Sequence, residues 1–92
     1  MDKVEAGALL QQRVRNLRAQ SYKSLQAFIE PVTIEVEGPS GAGYQLEVQA
    51  FWDDEEGGNL RVIASIDDMG LRALSPMSDD FIKASDDSFV GE

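Results

Sequence analysis

At Pro31 the hydrophobic repeat of the chain switches from a helical to a strand period, which limits the fold to a helical layer followed by a sheet. Before the switch, Leu10, Val14, Leu17, Ser21, Leu25 and Phe28 recur at intervals of three or four and fall on one helical stripe, flanked or broadened by Leu9, Tyr22 and Ile29. The segment from about 4 to 29 is therefore expected to form one long amphipathic helix, with Gly7 as its weak point and fraying before Ala8. Pro31 stops it, because the residue before a proline is driven out of the α region.

After Pro31, Val32, Ile34 and Val36 alternate with Thr33, Glu35 and Glu37, the pattern of a strand with one wet face. A turn at 38–43 leads to a second strand with Tyr44, Leu46, Val48, Ala50 and Trp52 on one face and Gln45, Glu47, Gln49 and Phe51 on the other. Beyond the turn at 53–59, a third strand turns Leu60, Val62, Ala64 and Ile66 inward and Arg61, Ile63 and Ser65 outward. Asp67-Asp68-Met69-Gly70 is expected to be a tight turn into a fourth strand over about 71–75. Pairing Val36 with Tyr44 and Trp52 with Leu60 keeps every even-numbered apolar residue on one face, whereas a one-residue slip would bury Glu47 and Gln49.

The fold class is thus α+β. It is a single domain over 1–92, a long N-terminal helix (4–29) on a four- to five-stranded antiparallel meander sheet (32–90). The end of the chain is expected to be a hairpin of Phe81-Ile82-Lys83 with Phe89-Val90, or a short helical turn capped by Ser78-Asp79-Asp80. The Asp-rich loop at 84–88, with no helical repeat after it, favours the hairpin.

Charge divides at the same place. Residues 1–30 carry five cations against three anions, and residues 31–92 carry three against fourteen, which together give the net −9. With no basic stripe, nucleic acid and anionic membranes are expected not to be partners. No apolar run approaches the roughly 20 residues needed to span a bilayer, and Met1 to Leu10 lacks the basic start and apolar block of a signal peptide. The expectation is a cytoplasmic protein.

Catalytic options are few. There is no cysteine and no histidine, which removes thiol nucleophiles, thiolate metal sites, and the commonest general base and transition-metal ligand. The turn Gly38-Pro39-Ser40-Gly41-Ala42-Gly43 lacks the Lys-Ser/Thr of a phosphate loop and does not lead into a helix. The acidic pairs Asp53-Asp54-Glu55-Glu56, Asp67-Asp68, Asp79-Asp80 and Asp86-Asp87 fit solvated turns better than a cation site, since none matches a calcium loop. No enzyme activity, cofactor or metal is expected.

Interaction residues are the remaining candidates. Under the register above, Phe51, Ile63 and Leu74 form an apolar stripe on the face away from the helix, to be covered by the C-terminal Phe81, Ile82, Phe89 and Val90 or by another subunit. Trp52 ends the second strand beside the acidic turn Asp53, Asp54, Glu55 and Glu56, as a core plug or a partner anchor. Arg13, Arg15 and Arg18 form the single basic cluster, expected to pair with sheet acids such as Glu35 or Glu47 or to serve as a basic patch. The resulting expectation is a small acidic protein-interaction module of bacterial type, non-catalytic and homodimeric, whose partner is a protein or itself. The alternatives are an acidic decoy that inhibits a basic protein, as antitoxin or immunity proteins do, and a carboxylate-based divalent-cation-binding domain.

Overall fold

The computed structural model describes residues 2–68 and 77–92. Helix α1 spans Lys3–Arg18 and starts at Asp2, whose carboxylate accepts the backbone N–H groups of Val4 (3.0 Å) and Glu5 (3.1 Å). This cap holds the first turn, and the helix runs from Lys3 through the segment that was expected to fray before Ala8. Ala6, Leu10, Val14 and Leu17 form the buried stripe of α1.

The helix does not continue to residue 29. The chain breaks at Ala19–Ser21, resumes as the single turn α2 (Tyr22–Leu25) and passes into a 3-10 turn over Gln26–Ile29. Ser21, read from its spacing as a stripe position, is instead the N-cap of α2, its hydroxyl accepting the Ser24 N–H at 3.0 Å. The break is fixed from the other end of the chain. Lys83 Nζ donates to the backbone carbonyls of Arg18 (3.2 Å) and Gln20 (2.6 Å), and the Asp87 carboxylate accepts the Tyr22 N–H at 2.7 Å. Groups freed by ending one helix and starting another thus find partners. Asp87 reaches this position from a left-handed backbone, φ 71°, a region that Asp tolerates better than most residues.

The sheet is a four-stranded antiparallel meander, β1 (Val32–Glu37), β2 (Gly43–Trp52), β3 (Leu60–Asp68) and β4 (Met77–Lys83), ordered as they occur in the chain. Val36 pairs with Tyr44 and Trp52 with Leu60, the register expected from parity. The buried face carries Tyr44, Leu46, Val48, Ala50, Leu60, Val62, Ala64 and Ile66. The helical layer lies on it, α1 over β3 and β4 and the 3-10 turn over β2. The α+β class and the meander therefore stand as read from the sequence.

The end of β3 differs. Asp67 and Asp68 remain in the strand because the ten-residue β2 supplies partners that far, Gln45 for Asp67 and Tyr44 for Asp68. Ile66 pairs with Met77, and Ile63 has Asp80 opposite it on β4, so the neighbour that β4 sets beside Ile63 on the outer face is a carboxylate and not the apolar residue the expected stripe required. The strand expected at 71–75, and Leu74 with it, lies outside the described residues. Asp79 and Asp80 are strand residues, neither a helical cap nor a turn.

The C-terminal segment closes the inner face, and among the described residues it does not cover Phe51 on the outer face. Phe81 is buried opposite Val62, and Phe89 meets its ring edge-on at 5.9 Å. The turn after β4 is tied by Ala84 N–H to Ser88 C=O and Asp87 N–H to Ala84 C=O. Of the expected hairpin, the structure forms one isolated bridge, Lys83 to Phe89, instead of a pair of strands.

Candidate interaction surface

The helical layer covers three strands and leaves one bare. On β1, Val32 and Ile34 point to the same side as the core yet remain 38% and 39% exposed, while Val36 is partly buried. Ile34 and Val36 face Leu9, Gln12, Arg13 and Asn16 of α1 across a groove that Leu46 also lines. The cause is the placement of α1 over β3 and β4, set by its contacts to Met77, Phe81 and the inner side of β3.

β1 is also an edge, and the direction of its free backbone groups follows from the turn beside it. Gly38 N–H donates to Ala42 C=O at 2.8 Å, which makes this a hydrogen-bonded pair in register with Val36–Tyr44. Because such pairs alternate along an antiparallel ladder, Val32, Ile34 and Val36 direct their backbone groups to β2. Thr33, Glu35 and Glu37 direct theirs to the open edge. Among the described residues no strand pairs there.

The opposite edge, β4, is guarded. Asp79 carries a charge on its inner face, held by Gln11 Nε2 at 3.2 Å, and the Lys83–Phe89 bridge with the Val90 N–H to Ile82 C=O bond occupies its C-terminal half. Inward-facing charge and a covering segment are the usual means by which an edge is made unavailable to another chain. β1 has neither.

The three arginines do not form one patch. Arg18 reaches Glu92, with Nη1 and Nη2 at 2.7 and 2.5 Å from its carboxylate oxygens, and its guanidinium lies 4.0 Å from the Phe89 ring centroid and 5.6 Å from that of Phe81. This pairing raises the Arg18 pKa and lowers that of Glu92. Arg13 lies over Phe28 at 5.8 Å with its Nε buried, and Arg15 is exposed. None takes Glu35 or Glu47, because those acids have odd parity and sit on the face of the sheet away from α1.

On that outer face Phe51 is 40% exposed and Ile63 partly buried, but a charge cluster interrupts the expected stripe. Arg61 stands directly opposite Phe51 on β2 and Ile82 on β4, and it binds Asp53 and Asp80. Its pKa is raised, first by the Asp53 hydrogen bond. Trp52 is partly buried against the core with its ring centroid 6.3 Å from that of Tyr22. Asp54, Glu55 and Glu56 form the exposed turn beyond it. Among the described residues no three carboxylates converge in a way that would hold a metal ion, and no helix is long and apolar enough to cross a membrane.

Two polar ties were not anticipated. The Glu5 carboxylate accepts the Ser40 hydroxyl (2.7 Å), the Ser40 N–H (2.9 Å) and the Tyr44 hydroxyl (2.8 Å), joining α1 to the β1–β2 turn. These bonds, the Ser40 hydroxyl foremost, lower the Glu5 pKa. The Glu5 bond and burial push Tyr44 up to about 12. Lys83 is the other, a buried cation at the α1–α2 break. Its signal was its odd position: once Phe81 is taken as inward, Lys83 must be inward too.

Comparison with protein-family models, with curated proteins and with solved structures returns no match.

Proposed function

We propose that the chain is a small, non-catalytic, cytoplasmic protein-interaction module that self-associates. The observation that carries this reading is the bare inner side of β1, where Val32 and Ile34 continue the core's apolar row beyond the edge of the helical layer. An apolar row next to an unpaired strand edge gains from a partner chain on both counts, burial of side chains and completion of backbone hydrogen bonds. The polar groups with defined partners, among them Glu5, Arg18, Arg61 and Lys83, serve as ties between elements, so they support the architecture and leave chemistry to a partner. Light scattering at tens of micromolar tests the reading: a mass twice the chain's 10.1 kDa is expected, and a monomer throughout would contradict self-association.

A second reading rests on the outer face. Glu35, Glu37, Glu47 and Asp67 stand there on neighbouring strands, and such a field favours a basic protein, as a decoy would require. Salt separates the two. Association of two chains of −9 is opposed by like charge and strengthens as salt is added, whereas capture of a basic partner weakens.

A further inference from the structure

We infer that the module dimerises by antiparallel pairing of β1 with β1 of a second copy, about a two-fold axis at Ile34, so that two four-stranded sheets become one of eight strands. The inference rests on the self-association proposed above and gives it a surface and a register. A second copy is the occupant because the edge is complementary to itself. About a two-fold axis at Ile34, Ile34 meets Ile34, Val32 meets Val36, and Thr33 meets Glu35, so apolar side chains oppose apolar ones and no two carboxylates face each other directly.

Neighbouring registers do worse. An axis at Glu35 sets Glu35 against Glu35 in a pair of chains that each already carry −9. An axis at Thr33 sets Val36 against Glu30 and so loses an apolar pair, whereas with the axis at Ile34 Pro31, which has no N–H for the ladder, falls opposite Glu37 at the end of the pairing. With the axis at Ile34, the outward-directed groups of Thr33 and Glu35 fall opposite one another, and each Thr33–Glu35 pair exchanges both backbone hydrogen bonds. Ile34 then sits at a non-hydrogen-bonded pair, where side chains approach most closely. The helical layer leaves room for this, since α1 is set back over β3 and β4 and the second copy's strand would enter beside the groove of Leu9, Gln12 and Asn16.

The register is testable because the chain has no cysteine. In the paired strands the two Ile34 Cα atoms lie about 4.5 Å apart, inside the roughly 4.4–6.8 Å that a disulfide spans. Ile34→Cys is therefore expected to form a reducible covalent dimer under mild oxidation, whereas Thr33→Cys and Glu35→Cys, each opposite a different residue, do so far more slowly. Glu35→Pro supplies the second measurement. The Glu35 N–H points away from β2, so proline there leaves the intrachain ladder intact, which the circular dichroism of the variant checks, and weakens dimerisation about tenfold or more. A wild-type dimer that Glu35→Pro leaves unchanged, with no preferred Ile34→Cys cross-link, would overturn the β1 pairing while leaving self-association standing. A wild-type monomer would overturn both.

Discussion

The Tyr44 hydroxyl donates to the Glu5 carboxylate at 2.8 Å, and this one bond ties the first turn of α1 to the start of β2 at the far end of the sheet from the C-terminal turn. It couples two titrations of opposite sense. Tyr44 is raised from 10.0 to about 12, so its contribution to stability is complete below pH 10 and is lost as pH rises through about 12. Glu5 is lowered from 4.5, so its contribution is present above that value and is lost as pH falls through the lower folded value. Glu5→Gln is expected to move the Tyr44 midpoint down towards 10, followed by NMR of the Tyr44 ring. A midpoint unchanged by the substitution would dissociate the two groups.

The same tie makes Gly38 restrictive. A Cβ at this position would stand 2.5 Å from the Glu5 carboxylate, so Gly38→Ala must displace that side chain and with it the bonds to Ser40 and Tyr44. The variant should fold, with a lower thermal midpoint and a Tyr44 titration that resembles that of Glu5→Gln.

Lys83 is 5% exposed and holds the carbonyls of Arg18 and Gln20. Lys83→Met keeps the stem's packing but leaves both carbonyls without their donor. The expected loss is about 1–3 kcal/mol, the usual cost of an unsatisfied buried polar group, measured by urea unfolding. Replacing Arg18 with Ala is expected to destabilise more than Glu92→Gln, because Arg18 also lies over Phe89 and Phe81 while the surface pair itself contributes little.

Ser21 marks the break in the helical layer. Ser21→Ala removes the hydroxyl that caps α2 and is expected to cost about 1 kcal/mol. In an unbroken helix of residues 4–29 the same substitution would be neutral or favourable, so the sign of the change distinguishes the two structures.

Much of this architecture was legible in the sequence because parity is a strong constraint. Within each of β1, β2 and β3 inward apolar residues alternate with outward ones, which fixed the faces, the register across the three strands, and the side on which the helical layer sits. The break at Ser21 was hidden because a serine at a stripe position satisfies the helical period while its capping role depends on Lys83 and Asp87, far away in the chain. The end of β3 was misread because Asp67-Asp68-Met69-Gly70 has the composition of a turn, whereas the length of β2 keeps both aspartates paired. Of the surface, Phe51 and Ile63 were visible as outward residues, but Arg61 between Phe51 and Ile82 breaks the stripe they were expected to form. The bare β1 row could not be seen at all from the pattern alone. Its exposure depends on how far α1 is displaced towards β4, and alternation marks Ile34 as inward whether or not a helix covers it.

Amide hydrogen exchange along β1 tests the central claim most directly. Thr33 and Glu35 direct their N–H groups to the open edge, and Ile34 directs its own to β2, so Ile34 is an internal control for the integrity of the sheet. Pairing of β1 with a second copy predicts that Thr33 and Glu35 become protected as protein concentration rises, with Ile34 protected at every concentration. Fast exchange at Thr33 and Glu35 in a sample whose mass is that of a dimer would contradict it.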